Sequence, residues 1–287
     1  MSSGAERRQF ATAGEVVIRG EAMGEGPPIV LCHGITATRQ SVIHGSRRLE
    51  RGGYTVIGYD ARAHGESDPA PTSGGYGYPE LRGDLARVID AQVGGGRVVL
   101  AGHSMGAHTA VGFALENPDR VAGLVLIGPT YLGSVEPGSL RYWDGLAAAL
   151  SDDGIDGFVA YIDRFQNIDP GWRDSVLRFT RERMQRHRHL EALVNALHEV
   201  PRSSPFEAMA ELETLAVPTL VVASHDAADP GHPYAIAEEY AERLPEARLV
   251  SEAEGQSPLA WQGGRLSREI ETFCAEPKVG GRLPAAP

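Results

Sequence analysis

A serine flanked by glycines, Gly102-His103-Ser104-Met105-Gly106, is the spacing in this chain best suited to chemistry. A primary hydroxyl is a weak nucleophile, so its value depends on how it is presented and on what removes its proton. Its presentation is readable from the flanks. The apolar run Val98-Val99-Leu100-Ala101 precedes the motif, and a helical stretch, Ala107 to Glu116, follows it. Strand, sharp turn and helix form a nucleophile elbow, which holds the serine in a strained conformation with Oγ above the sheet edge. Glycines at 102 and 106 leave room for the neighbouring strand and helix. The N–H groups at the helix start favour developing negative charge. The context carries this reading more than the pentapeptide does, because a chain with 35 glycines in 287 residues matches such a pattern easily by chance.

The elements that must position Ser104 alternate along the chain. Residues 15–22 read as an opening strand, and Ile29–Cys32 as a buried one ending at His33-Gly34. A helical pattern from Arg39 to Arg51 stops at Gly52-Gly53. Tyr54–Asp60 is another buried strand, followed by a turn-rich segment through Pro69 and a helix from about Pro79 to Val93. Further strands are expected at Val121–Ile127, Val217–Ala223 and Arg248–Ser251, with a helix beginning near Pro233 and a last one near Arg265. Strands separated by helix-sized segments imply a mostly parallel sheet covered on both faces. Between Gly128-Pro129 and Pro205 the alternation stops, and helical patterns at Leu140–Leu150, Gly157–Phe165, Trp172–Arg188 and Leu190–Val200 take over. An all-helical insertion at that point suits a lid over an active site. The expected organisation is a core of residues 1–128 and 206–276, a helical cap at 129–205, and a flexible Pro/Gly/Ala-rich tail at 277–287.

Bulk properties narrow the function classes. Apolar content of 42% and charged content of 23% are ordinary globular values. A net charge of −11 argues against nucleic acid or an anionic membrane as partner. Cys32 and Cys274 lie far apart without metal-ligand or redox spacing and read as reduced, buried apolar residues. No cofactor and no metal are implied. Met1–Gln9 lacks the apolar core of a secretory signal and no window is apolar enough to span a membrane, so a cytoplasmic location is expected. The basic run Arg181–His189 could bind an anionic substrate group, but the preferred reading is a solvated helix face with Met184 and Leu190 turned inward. Aromatic residues of the cap (Tyr142, Trp143, Phe158, Tyr161, Phe165, Trp172) point to a small apolar or aromatic substrate, although such spacing also fits helix packing. Oligomeric state is not legible.

Taken together, His33-Gly34, Asp60-x-Arg62-x-His64-Gly65-x-Ser67 and Gly102-x-Ser104-x-Gly106, in that order, resemble the α/β-hydrolase fold family over nearly the whole chain. The resemblance implies an eight-stranded, mostly parallel sheet flanked by helices, a helical cap, and a Ser–acid–His triad in that chain order. Serine at 104 sets the chain apart from epoxide hydrolase and haloalkane dehalogenase relatives, which carry aspartate there. The implied oxyanion donors are the backbone N–H groups of Met105 and Ile35. His33, Gly34 and His103 are expected at the substrate, with a simple strand-ending turn as the other reading of His33-Gly34. His64-Gly65 is expected to shape the pocket floor.

The acid belongs after the Val217–Ala223 strand, where Asp226 fits best and Asp229 second; either could instead cap the next helix. The family's base belongs after the last strand, and that position holds Gln256. Glutamine hydrogen-bonds a hydroxyl or water but accepts no proton near neutral pH. Losing a triad histidine costs on the order of a million-fold, with roughly a thousand-fold residual enhancement over water. Three ways out are open: another histidine fills the role, His232 first and His108 second; Gln256 replaces an original histidine; or the reaction needs no triad. The corresponding functions are a hydrolase of an ester, thioester or lactone carbonyl, a non-hydrolytic cofactor-free enzyme of the same fold (lyase, cyclase or decarboxylase), and an inactive ligand-binding protein.

Overall fold

The computed structural model describes residues 7–225 and 229–284. Eight strands form one sheet in the order β1-β2-β4-β3-β5-β6-β7-β8: β1 (Arg8–Ala11), β2 (Arg19–Met23), β3 (Pro28–Cys32), β4 (Thr55–Tyr59), β5 (Val98–His103), β6 (Val121–Ile127), β7 (Thr219–Val222) and β8 (Ala247–Val250). Pairings from β4 through β8 are parallel, and only β1–β2 and β2–β4 are antiparallel. The central strands β3, β5 and β6 are buried almost throughout, which is why they read as continuous apolar runs. The helices are α1 (Arg48–Arg51), α2 (Tyr78–Val93), α3 (Met105–Glu116), α4 (Pro137–Phe165), α5 (Arg173–Met184), α6 (Leu190–Glu199), α7 (Tyr234–Arg243), α8 (Gly263–Cys274) and α9 (Pro277–Gly280). No helix among the described residues is long and apolar enough to cross a membrane.

The sheet separates two apolar layers. One joins Val30, Leu100 and Leu124 to Leu85, Val111 and Phe113, and runs on without a break into Leu146, Phe158, Ile162, Met184 and Leu193 of α4–α6. The other packs Ile29, Val99 and Val125 against Leu49, Leu266, Ile270 and Phe273. The three helices α4–α6 fill the region expected to be all-helical, with α4 bending at Gly154 (φ +62°) where two separate helices were expected.

Three further expectations differ from the structure. The amino-terminal region holds two strands, β1 and β2, where one at 15–22 was expected. The helix expected over 39–51 shrinks to α1, because residues 34–46 are turns anchored to distant groups: Arg39 N–H donates to Asp60 Oδ1 at 2.8 Å and Thr36 N–H to His64 Nε2 at 3.2 Å. The segment from 277, expected to be flexible, forms α9 and buries Val279 completely. A side chain on Gly123 of β6 would strike Phe273 and Val279, so that glycine makes the docking site.

Candidate active site

The elbow is built as its sequence implies. Ser104 sits at φ +51°, ψ −116°, a region costly for any residue with a side chain. Its N–H donates to Ile127 O at 2.9 Å and its carbonyl accepts the His108 N–H at 3.1 Å, so strand β6 and helix α3 together hold the strain. The flanking glycines are sterically required: a Cβ on Gly102 would lie 2.3 Å from Gly106 O, and one on Gly106 would lie 2.1 Å from Cys32 O. Met105 opens α3, so its N–H lacks an intrahelical acceptor. Gly34 completes the close approach, since a Cβ there would lie 2.8 Å from His103 Nδ1 and 3.5 Å from Ser104 Cβ. That brings half-buried Ile35 beside the serine, with its N–H unbonded among the described residues.

The second expected motif is structural. The Asp60 carboxylate is wholly buried and takes the N–H groups of Arg39 and Glu66 and the Arg39 guanidinium. Arg62 grips Asp84 through Nε and Nη2 at 2.7 and 2.8 Å. His33, expected at the substrate, is instead buried with both ring nitrogens committed. Nε2 accepts the Ala61 N–H at 2.9 Å, leaving Nδ1–H to donate to Gly34 O at 2.8 Å. Burial pushes its pKa down. His108 is also unavailable as a base: Nε2 accepts the Thr130 N–H at 2.9 Å and Nδ1 bonds Tyr78 Oη at 2.9 Å, and burial holds its pKa at about 3.

The histidine and acid that do come to the elbow sit three residues apart on the loop after β7. His232 Nδ1 lies 2.9 Å from both Oδ1 and Oδ2 of Asp229. The ring packs on Gly128, where a Cβ would lie 3.0 Å from Cγ, and its centroid is 4.8 Å from that of His103. Gly128 follows Ile127, the partner of Ser104 N–H, and His103 precedes Ser104 in the chain. His232 therefore packs against His103, the residue before the serine, and against Gly128, the residue after its backbone partner. With Nδ1–H given to the carboxylate, the neutral ring carries its lone pair on Nε2, which is unbonded among the described residues. Burial works to lower the His232 pKa, but the Asp229 charge and hydrogen bond outweigh it and leave the pKa raised. Burial works to raise Asp229, yet His232, with help from His103 and Arg183, holds it at about 2. His103 is driven to about 3, by burial first and His232 second, and stays neutral.

Asp226, the acid expected first, lies outside the described residues. Gln256, the expected stand-in for the base, is exposed on a turn and accepts from Arg265 Nη1 at 3.1 Å; it makes no hydrogen bond to Ser104 or Asp229. Three residues matter that the sequence does not single out from their neighbours. The buried Glu252 carboxylate takes Ser224 Oγ (2.6 Å), His225 N–H (2.7 Å) and Leu259 N–H (2.8 Å), tying the loops after β7 and β8 together. Arg183 and His187 belong to the basic run expected to face solvent. Met184 is buried as expected and Arg186 and Arg188 are exposed, but Arg183 and His187 turn inward. The Arg183 Nε is buried without a hydrogen-bond partner, and the guanidinium has no ion-pair partner within 4 Å among the described residues. Burial lowers its pKa against the pull of Asp229 and Tyr142, and its charge reaches His103 and His232. Alternating charge along the run hid this, because helix phase and the packing of α5 over the site decide which arginine points in. The donor atoms of His103, Asp229 and His232 all lie within 4.8 Å of one another, the one set among the described residues that could converge on a metal ion.

Similarity to known proteins agrees with this fold. Residues 27–262 match the family described as alpha/beta hydrolase fold. Epoxide hydrolase 2 of Siraitia grosvenorii is 36% identical over 132 residues, 46% of this chain and 41% of that protein, so the chain spans less than half of that relative. A 2-hydroxy-6-oxononadienedioate/2-hydroxy-6-oxononatrienedioate hydrolase 2 of Pseudomonas putida is 30% identical over 208 residues, covering 70% of this chain and 71% of the relative. Among solved structures, a thermophilic esterase from Thermogutta terrifontis superposes with a TM-score of 0.76 at 22% identity, covering 94% of this chain and 98% of that one. These likenesses and the elbow at Ser104 lead to one assignment: the chain belongs to the alpha/beta hydrolase fold family.

Proposed function

We propose that this protein is a serine hydrolase of a small carbonyl compound (an ester, thioester or lactone) whose base is His232. The observation that carries the reading is the Asp229–His232 pair seated against His103, the residue before Ser104, and Gly128. In the proposed reaction Ser104 Oγ attacks the carbonyl carbon as His232 Nε2 takes its proton. The developing oxyanion receives the N–H groups of Ile35 and Met105, and the imidazolium then protonates the leaving group. Asp229 orients His232 and stabilises its charged form. A water molecule activated by the same nitrogen hydrolyses the acyl-enzyme and restores Ser104.

Arg183 narrows the substrate. A partly buried guanidinium whose Nε is buried and unused, with no carboxylate in ion-pair reach among the described residues, is suited to an anionic group brought by the substrate. The Pseudomonas putida relative, and one from Paraburkholderia xenovorans at 29% identity over 223 residues, are named as hydrolases of dioates, which carry carboxylates. The proposed substrate therefore joins an apolar body to an anionic end. Ser104 weighs against epoxide opening despite the epoxide hydrolase relatives, since that chemistry is tied to an aspartate at this position. The test is covalent labelling with a fluorophosphonate. The wild type is expected to react at Ser104, Ser104→Ala to remain unlabelled, and His232→Gln to react far more slowly. Absence of labelling in the folded wild type overturns the reading in favour of a non-hydrolytic or ligand-binding role.

A further inference from the structure

We propose that His187 of the cap and His64 of the core are positioning residues that clamp Thr36 and so set the Ile35 N–H for the oxyanion; this rests on the hydrolase reading above. Thr36 is β-branched, 3% exposed, and held at φ +64°, a conformation such a residue adopts only under constraint. Both of its backbone polar groups end on histidines. Its N–H donates to His64 Nε2 at 3.2 Å, and its carbonyl accepts from His187 Nε2 at 2.9 Å. Each ring is locked in turn by its other nitrogen. His64 Nδ1–H donates to Arg62 O at 2.9 Å, and His187 Nδ1 accepts the Gly65 N–H at 2.9 Å. These bonds define one neutral tautomer for each ring, in agreement with the lowering of both pKa values by burial and of His187 to about 4.

The rings form a continuous buried row, with centroids 5.0 Å apart for His33–His64 and 5.5 Å for His64–His187. A further bond, Arg188 N–H to Gly65 O at 3.0 Å, lays the chain after α5 along the same core loop. The cap thus reaches the oxyanion loop through side chain and backbone together. Arg183 lies in the last turn of α5 and His187 four residues further on, just past the helix end, so the segment that would hold the substrate's anionic end also fixes the loop that would receive its oxyanion. A cap that merely covered the pocket would not need to bond the backbone of residue 36.

The experiment compares His187→Phe, which keeps bulk and loses both bonds, with His187→Gln, whose amide has both a donor and an acceptor. His187→Phe is expected to lower kcat about tenfold with KM within about twofold, less than the 10²–10³ loss typical of deleting an oxyanion donor outright. The fluorophosphonate reaction rate at Ser104 falls in the same proportion, and His187→Gln recovers most of both. Hydrogen exchange supplies a readout independent of activity: the Gly65 amide speeds up in His187→Phe, and the Thr36 amide speeds up in His64→Phe. Unchanged kcat in a folded His187→Phe protein, or a change in KM alone, overturns the proposal. If wild type fails to label, the hydrolase reading fails, and the exchange data alone then decide whether Thr36 is clamped.

Discussion

The loops after β7 and β8 are neighbours tied by one carboxylate, Glu252, yet they differ in chemical equipment. The β8 loop, where the family resemblance expects a histidine, carries Gln256 in an exposed turn paired with Arg265. The β7 loop, expected to supply the acid and, in His232, the first alternative base, brings Asp229 and His232 together beside His103. An acid and a base three residues apart close a local turn, with His232 N–H donating to Asp229 O at 3.2 Å. Their relative geometry therefore depends on few distant contacts. On the proposed reading, the position of a proton acceptor relative to the nucleophile matters, and the strand that delivers it does not.

Substitutions can break this comparison. The largest effect is expected from His232→Gln, a fall in kcat/KM of about 10⁴- to 10⁶-fold on an activated ester, because proton removal loses its agent. A loss under tenfold would return the base to the β8 loop or elsewhere. Next is Asp229→Asn, with about 10³- to 10⁴-fold lower kcat from a misoriented tautomer. Arg183→Met is expected to raise KM about 10- to 100-fold for a substrate with a carboxylate while sparing a neutral analogue, the range of one charge-assisted hydrogen bond. An equal effect on both substrates would make Arg183 a packing residue.

The pH profile sharpens the same contrast. His232 must be neutral to accept a proton and its pKa is raised, so kcat/KM should decline about tenfold per unit below an apparent pKa above 6.5. Asp229, held at about 2, stays ionised across that range and adds no limb there. Arg183 opposes the charged form of His232, so Arg183→Met should move the limb further upward. A limb well below 6.5 would assign the base elsewhere. The smallest effect belongs to the β8 loop. Gln256→Ala and Gln256→His should each leave kcat/KM within about twofold, and a large gain from histidine would show that this loop still reaches the serine.

Ser104 and its elbow were legible because their requirements are local: an apolar strand, two glycines and a helix start, all within a dozen residues. The order of strands and helices was legible for the same reason, since buried parallel strands are apolar runs and the segments between them have helical spacing. The short helix α1 and the ordered α9 were not, because each depends on groups far away in the chain: Asp60 and His64 for the turns before α1, Gly123 and Phe273 for α9.

The histidines show the boundary most clearly. The sequence by itself determined that Ser104 stands between a strand and a helix, that residues 129–205 are helical, and that no histidine follows position 232. It did not determine which of ten histidines meets the elbow. His33, His64 and His187 spend their ring nitrogens on backbone groups, while His232 keeps Nε2 unbonded among the described residues. Likewise, nothing in the spacing of Arg181–His189 separates Arg183 from its neighbours. Only the folded course of α5 and the turn after it set Arg183 and His187 inward. Hydrogen-bond partners and burial are properties of the assembled fold, and they decide whether a ring or a guanidinium is structural support or chemistry.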